Sequence, residues 1–465
     1  MAFFAQDDWR LSRNLDVTLG LRYEHYTPTT GMWNVNSSNP YGSFINALGD
    51  AMFTSHHKDF GPRLGVAWDV SGDKRLVVRA GAGISYVPPQ PILWFNFAAI
   101  DPRIPGSITL TPSDVPSGYS IAFPFPKNTF VSEVLANPNV VSQIGINTGR
   151  TVGDFNAKDM TAGNWNLSVQ GALTKQTTLE VAYVGNHAWN MYLPIYPNQF
   201  MPGATARPFP SYGAVSFDTN SGNSSYDALQ VSLKQRSFHG LVFDAYYTYA
   251  NTLTYGGVNT EENEVTYSFQ DPWNIKNSYG PVDGSIRHLF VLDHTYLLPT
   301  PGFAQNSSIA KQVIGGWSLD GIMTIRSGLP LNVLAGKDLV RDQYPSADRP
   351  NIVPGVAPYI GSTTGNLQWL SPSAFDATTP YNNMQFGDLS YNAMRGKGAF
   401  MYDAGVHKDF NIKEKAMLTF RVEMFNIFNH PVFTGYDLTA TDPKFGQITS
   451  ASNGRTLQLV GMVKF

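Results

Sequence analysis

The sequence predicts an all-β fold, an antiparallel sheet rolled into a transmembrane barrel. Three observations predict it: side chains alternate between apolar and polar over stretches of about ten residues, the connections alternate between short and long, and charge is scarce. Charged residues make up 14% of the 465-residue chain, against roughly 25% in an ordinary soluble domain. Aromatic residues reach 13% and glycine 42 positions. A surface so poor in charge suits a wall that faces acyl chains.

Residues two apart on a strand share a face. Leu418, Phe420, Val422 and Met424 therefore oppose Thr419, Arg421 and Glu423, and Leu15, Val17, Leu19, Leu21 and Tyr23 oppose Asp16, Thr18, Gly20, Arg22 and Glu24. Trp317, Leu319, Met323 and Ile325 stand against Ser318, Asp320, Thr324 and Arg326, and Leu229, Val231 and Leu233 against Gln230, Ser232 and Lys234. Extending this reading with turn residues gives about 13 strands. They fall near 2–10, 15–26, 59–70, 74–86, 162–173, 177–186, 225–237, 240–251, 286–298, 314–327, 400–411, 415–428 and 455–465. Most match the roughly 9–11 residues a tilted strand needs to cross a bilayer and exceed the five or six usual in soluble sheets.

The connections at 10–14, 71–73, 174–176, 237–239 and 411–414 are tight, and 299–313 is of middle length. Between them lie 27–58, 87–161, 187–224, 252–285, 328–399 and 429–454, rich in Gly, Pro, Asn and Ser. Short periplasmic turns and long extracellular loops produce this rhythm. Segments 87–161 and 328–399 have room for further strands. Bacterial single-chain barrels close with an even number of strands, so an odd count predicts an incomplete barrel of about 13–14 strands. An open edge in hydrocarbon leaves backbone groups unpaired, so sequence before Met1 is expected to complete it.

Other classes are disfavoured by composition. A net charge of −3 supplies no basic footprint for nucleic acid, and a chain without cysteine has neither disulfides nor thiolate metal sites. The most apolar run, Pro91 to Ile100, is about half of the roughly 20 residues a spanning helix needs. Met1 to Arg10 lacks the layout of a signal peptide. No nucleophile elbow, P-loop, dinucleotide fingerprint or metalloprotease helix occurs, so no catalytic, cofactor-binding or metal-binding residue is expected.

Several stretches carry a resemblance: FFAQDDWRLSRNLDVTLGLRYE at Phe3 to Glu24, FGPRLGVAWDVSGDKRLVVRAGAGISY at Phe60 to Tyr86, DPWNIKNSYGPVDGSIRHLFVL at Asp271 to Leu292, GGWSLDGIMTIRSGLPLNV at Gly315 to Val333, and HKDFNIKEKAMLTFRVEMFNIFNHPVF at His407 to Phe433. Together they resemble TonB-dependent outer-membrane transporters, in particular the Oar-like branch. The resemblance implies the C-terminal portion of a barrel of about 22 strands, the lumen being filled by a plug. The plug and the missing strands would precede Met1. It also implies residence in the bacterial outer membrane, with lipid, the plug, the TonB complex and an unidentified carbohydrate, peptide or chelate as partners. At the end of the chain, Leu457, Leu459, Gly461, Val463 and Phe465 form one apolar face that resembles the signal read by the outer-membrane assembly machinery.

Two pairs, Arg22 with Glu24 and Arg421 with Glu423, fall on inward faces and are candidates to line the lumen. Each is also what an ordinary ion-pair network in a wet barrel would contain, worth about 0–1 kcal/mol per pair. His56 and His57 invite a metal reading but lack the converging third and fourth ligands. Glu261, Glu262 and Glu264 read as a solvated loop, although hard cations do take carboxylate oxygens. Trp9, Trp68, Tyr86, Trp165, Tyr183, Tyr249 and Trp317 stand near strand ends, where a barrel places its aromatic belt. The function implied is ligand uptake. A structural or adhesive surface barrel and a passive pore are the alternatives.

Overall fold

The computed structural model describes residues 1–27, 54–87, 150–154, 156, 158–208, 215–255, 269–341, 347–360, 367–412 and 416–464. Thirteen strands form one continuous path of hydrogen-bonded neighbours in chain order, each antiparallel to the next. They are β1 (Ala2–Ser12), β2 (Leu15–Glu24), β3 (Asp59–Asp69), β4 (Leu76–Val87), β5 (Met160–Ala172), β6 (Thr177–Ile195), β7 (Val215–Phe238), β8 (Leu241–Tyr255), β9 (His288–Leu297), β10 (Trp317–Arg326), β11 (Ala399–Ile412), β12 (Ala416–Phe425) and β13 (Thr456–Lys464). Every strand expected from alternation is present. Among the described residues no pairing joins β1 to β13, so the sheet is open. No described helix is long and apolar enough to cross a membrane.

Cross-strand register keeps the two faces separate around the whole sheet. Leu19 faces Leu64, Leu167 faces Tyr183, Val231 faces Tyr247, Leu319 faces Val406 and Val422 faces Leu459. The opposite face pairs Thr18 with Gly65, Gln170 with Glu180, Lys234 with Asp244, and His407 with Arg421. A slip of one residue at any pair would turn an apolar row inward. The apolar rows are uncovered: Leu64 is 46% and Leu459 72% exposed. Leaving such a band in water would cost about 25 cal/mol for each Å².

Turn chemistry fixes the periplasmic ends. Between β3 and β4 the Asp69 carboxylate accepts the amides of Gly72 and Lys74, each at 2.9 Å, while both residues hold positive φ. Between β7 and β8, His239 (φ 50°) and Gly240 (φ 87°) make a two-residue turn of the twist a hairpin requires. A Cβ on Gly240 would lie 2.6 Å from the Leu297 carbonyl oxygen, so close packing adds to the backbone reason for glycine.

Two features depart from the alternation reading. First, β6, β7 and β8 run on for 19, 24 and 15 residues. At about 3.4 Å per residue β7 reaches roughly 80 Å, far beyond a hydrocarbon core of about 30 Å even when tilted. Its outer stretch from Thr219 to Ser224 is polar and carries no apolar alternation. Arg150–Gly153 adds to it in parallel at Val215–Asp218. Second, the described residues between β10 and β11 and between β12 and β13 add no further strand to the wall. Each segment folds on itself through short pairs, Pro330–Leu331 with Met394–Arg395 and Asn351–Ile352 with Phe375–Asp376 in the first, and Phe433–Tyr436 with Ile448–Ala451 in the second. The single bridges Leu334–Thr439 and Gln368–Gln447 join the two. Leu331, Val333, Leu370, Phe375, Leu389 and Phe445 form their shared apolar core. The result is a packed outer cap. Its polar hub is Arg349, fully buried, whose guanidinium donates to the carbonyls of Leu389 and Asn277, each at 2.8 Å.

Candidate functional site

The polar face of β2 ends at the outer rim with Arg22 and Glu24. Alternation puts both on one side, and Arg22 Nη2 meets Glu24 Oε1 at 2.7 Å. The Tyr26 hydroxyl donates to the same oxygen at 3.0 Å. Register then brings Asp59, the first residue of β3, directly opposite Glu24. Asp159, just before β5, joins them. All three carboxyls are buried.

So many acids cannot all be ionised in a dry place at little cost. Burial, then a hydrogen bond with Asp59, then the charges of Asp59 and Glu24 push the Asp159 carboxyl up to about 7. Among the described residues no donor reaches Asp59 Oδ2. Two carboxylates have no hydrogen to share, whereas one proton between them satisfies both oxygens. The pair therefore holds a proton in mildly acidic water.

This pair borders a cavity of about 570 Å³, whose walls include His56, His57, Tyr86, Lys158, Trp189 and Asn190. His57 stacks on His25 with ring centroids 4.6 Å apart, and His25 Nδ1 approaches the His56 carbonyl oxygen at 3.0 Å. These rings serve packing and backbone contacts, and no described set of His, Asp or Glu has the arrangement of a metal site. Glu261, Glu262 and Glu264 lie outside the described residues.

Near the other edge of the sheet, Arg421 Nη2 lies 3.3 Å from Glu423 Oε1. The neighbouring row supplies a pair that alternation alone did not single out: His407 Nδ1 contacts Asp320 Oδ1 at 2.6 Å. Glycine at 405 makes this possible, since a Cβ there would fall 2.5 Å from Asp320 Oδ2. The two Arg–Glu pairs sit on β2 and β12, on one face but apart from each other. Leu457, Leu459 and Val463 share a face and meet Met424, Val422 and Leu418. Phe465 lies outside the described residues. Trp9, Trp68, Tyr86, Trp165, Tyr183, Tyr249 and Trp317 all project from the apolar face, as their pairings with Val17, Leu15, Thr161, Ala82, Leu167, Leu229 and Lys408 require.

The family described as "Outer membrane beta barrel domain" matches residues 1–458. The chain belongs to this family. As an outer membrane β-barrel it resides in the bacterial outer membrane, with its apolar face to lipid and its polar face to the lumen. Its fold is similar to that of the outer membrane transporter YddB from Escherichia coli, at 10% identity and a TM-score of 0.52, with 100% of this chain and 45% of that chain covered. The ferripyoverdine receptor of Pseudomonas aeruginosa, at 11% identity and a TM-score of 0.45, is covered over 38% of its length. The barrel thus spans less than half of the solved proteins it matches. No curated protein matches it.

Proposed function

We propose that this barrel is the wall of a TonB-dependent receptor, which binds a ligand at its outer mouth and passes it through a lumen occupied by a plug. One observation carries the plug. Gly20, Gly65, Gly81 and Gly83 all stand on the lumen face of β2, β3 and β4, opposite or beside Arg63 and Thr18. Bare backbone over three neighbouring strands offers a smooth surface on which a folded domain packs closely. A passive pore gains nothing from it. Arg22, Glu24, Arg421 and Glu423 then line the lumen as contacts for that domain, and the cavity at Asp59 and Asp159 belongs to the ligand's entry side. Residues 1–465 act as the C-terminal portion of the barrel, with the plug supplied by other sequence. The alternating face from Leu457 to Phe465 serves the assembly machinery.

Uptake by the full-length protein in cells provides the test. Strains lacking either this gene or the TonB complex are grown on glycans, peptides or ferric chelates as the limiting nutrient. Loss of growth on the same nutrient in both supports the proposal. A deletion that abolishes surface attachment and leaves every uptake intact would favour the adhesive alternative and overturn it.

A further inference from the structure

The periplasmic connections at Arg13–Asn14, Val70–Arg75, Leu173–Gln176 and His239–Gly240 are short and mostly polar. The one between β9 and β10 is different. It folds into two short helices, α1 (Gly302–Gln305) and α2 (Ser308–Ile314), the second begun by Ser307, whose hydroxyl accepts the Ala310 amide at 3.2 Å. Ala304 is buried between them, yet Phe303 and Ile309 are 76% and 75% exposed, and Val313, four residues after Ile309, is also exposed. An apolar stripe of this kind at the end of a polar turn needs a covering.

Two contacts say where it sits. The Trp317 indole donates to the Val313 carbonyl at 3.1 Å, and the Lys408 ammonium donates to the Gly315 carbonyl. Trp317 and Lys408 are cross-strand partners in the same row parity as Leu319 and Val406, so both project from the lipid-facing side of the wall. Lys408 also lies over the rings of Trp317 at 5.5 Å and Phe410 at 5.0 Å. The last turn of α2 is thereby pinned to the membrane side of the barrel, away from the lumen. It stands at the level where tryptophan and lysine meet the headgroups.

We propose that α1 and α2 form an interfacial foot, seated in the periplasmic leaflet with Phe303, Ile309 and Val313 among the acyl chains. The occupant of the apolar stripe is lipid, because the Trp317 and Lys408 contacts hold α2 on the side from which the apolar rows of β10 and β11 project. A foot of this kind sets the height of β9 and β10 in the bilayer and leaves Lys311 free to approach phosphate groups.

Residues 1–465 have no cysteine, so each single cysteine placed here is the one labelling site in this part of the wall, and any cysteine elsewhere in the full-length protein is replaced by serine beforehand. Nitroxide labels at Phe303, Ile309, Leu319 and Asn306 of the full-length protein, reconstituted in phosphatidylethanolamine and phosphatidylglycerol vesicles, are probed with oxygen and a water-soluble nickel chelate. Labels at Phe303 and Ile309 should favour oxygen, as Leu319 on the wall does, and Asn306 should favour nickel. Nickel access at Ile309 with oxygen access retained at Leu319 overturns the foot. Shielding of Ile309 from both reagents overturns it too, and names a protein as the covering instead. Nickel access at Leu319 itself would remove the lipid-facing assignment of the wall, and the foot with it.

Discussion

Trp165 on β5 lies across the bare backbone of Gly185, its cross-strand partner on β6, so that any Cβ at 185 would collide with the indole. Tyr402 crosses Gly321 in the same way and reaches His294 Nε2 at 2.8 Å. An aromatic ring laid over a strand glycine covers backbone that would otherwise weaken the sheet. The lipid-facing surface is smoothed by these pairs as well as by its aliphatic rows.

Gly185→Val should therefore lower stability by about 1–3 kcal/mol, the usual cost of overpacking. The check is the temperature at which the folded, heat-modifiable band disappears in a gel. A variant as resistant as the parent would show that the ring moves aside freely.

The Asp59–Asp159 pair predicts a pH dependence. An unfolded Asp carboxyl titrates near 3.8 and the folded Asp159 near about 7, so between these values the folded chain binds more protons than the unfolded one. Stability then falls as pH rises through that window and levels off above it. Urea titrations of the parent should show this slope between pH 4.5 and 7, and Asp159→Asn should flatten it. An unchanged slope in the variant would assign it to other groups.

Arg349 predicts a local failure. Burial pushes its guanidinium down to about 10, still charged at neutral pH, and its donors satisfy the Leu389 and Asn277 carbonyls. Arg349→Leu leaves those carbonyls unpaired at about 1–3 kcal/mol each. Limited proteolysis should open the cap within 330–395 and spare the wall strands. Equal resistance of the two proteins would mean the apolar core around Leu370 and Phe445 suffices.

Leu459 faces lipid and meets Val422, whereas Gln458 faces the lumen and meets Glu423. Leu459→Arg should cost about 2–4 kcal/mol near the bilayer midplane and reduce the yield of inserted protein. Gln458→Arg should leave it near normal. Fractionated outer membranes measure both, and similar yields for the two variants would contradict the assignment of faces.

The thirteen wall strands were legible from residues alone, because period-two alternation is local and each strand must satisfy lipid on one side and water on the other. The same rule failed above the membrane. Past Asn186 the row Trp189, Met191, Leu193 and Ile195 continues the alternation of β6, but Leu193 is buried against Phe269 of a loop and not against lipid. Thr219 to Ser224 of β7 is polar and has no apolar pattern to betray it. Arg22 and Glu24 were visible as neighbours on one strand. Their meeting with Asp59 and Asp159 was not, since register across β2 and β3 and the return of the chain at β5 bring together carboxyls far apart in sequence. The cap is the plainest case: Leu331, Leu370 and Phe445 come from two loops separated by two wall strands, and only the folding of those loops over the rim of the sheet brings them together. Periodicity records which solvent each residue meets, and tertiary structure decides which residues meet each other.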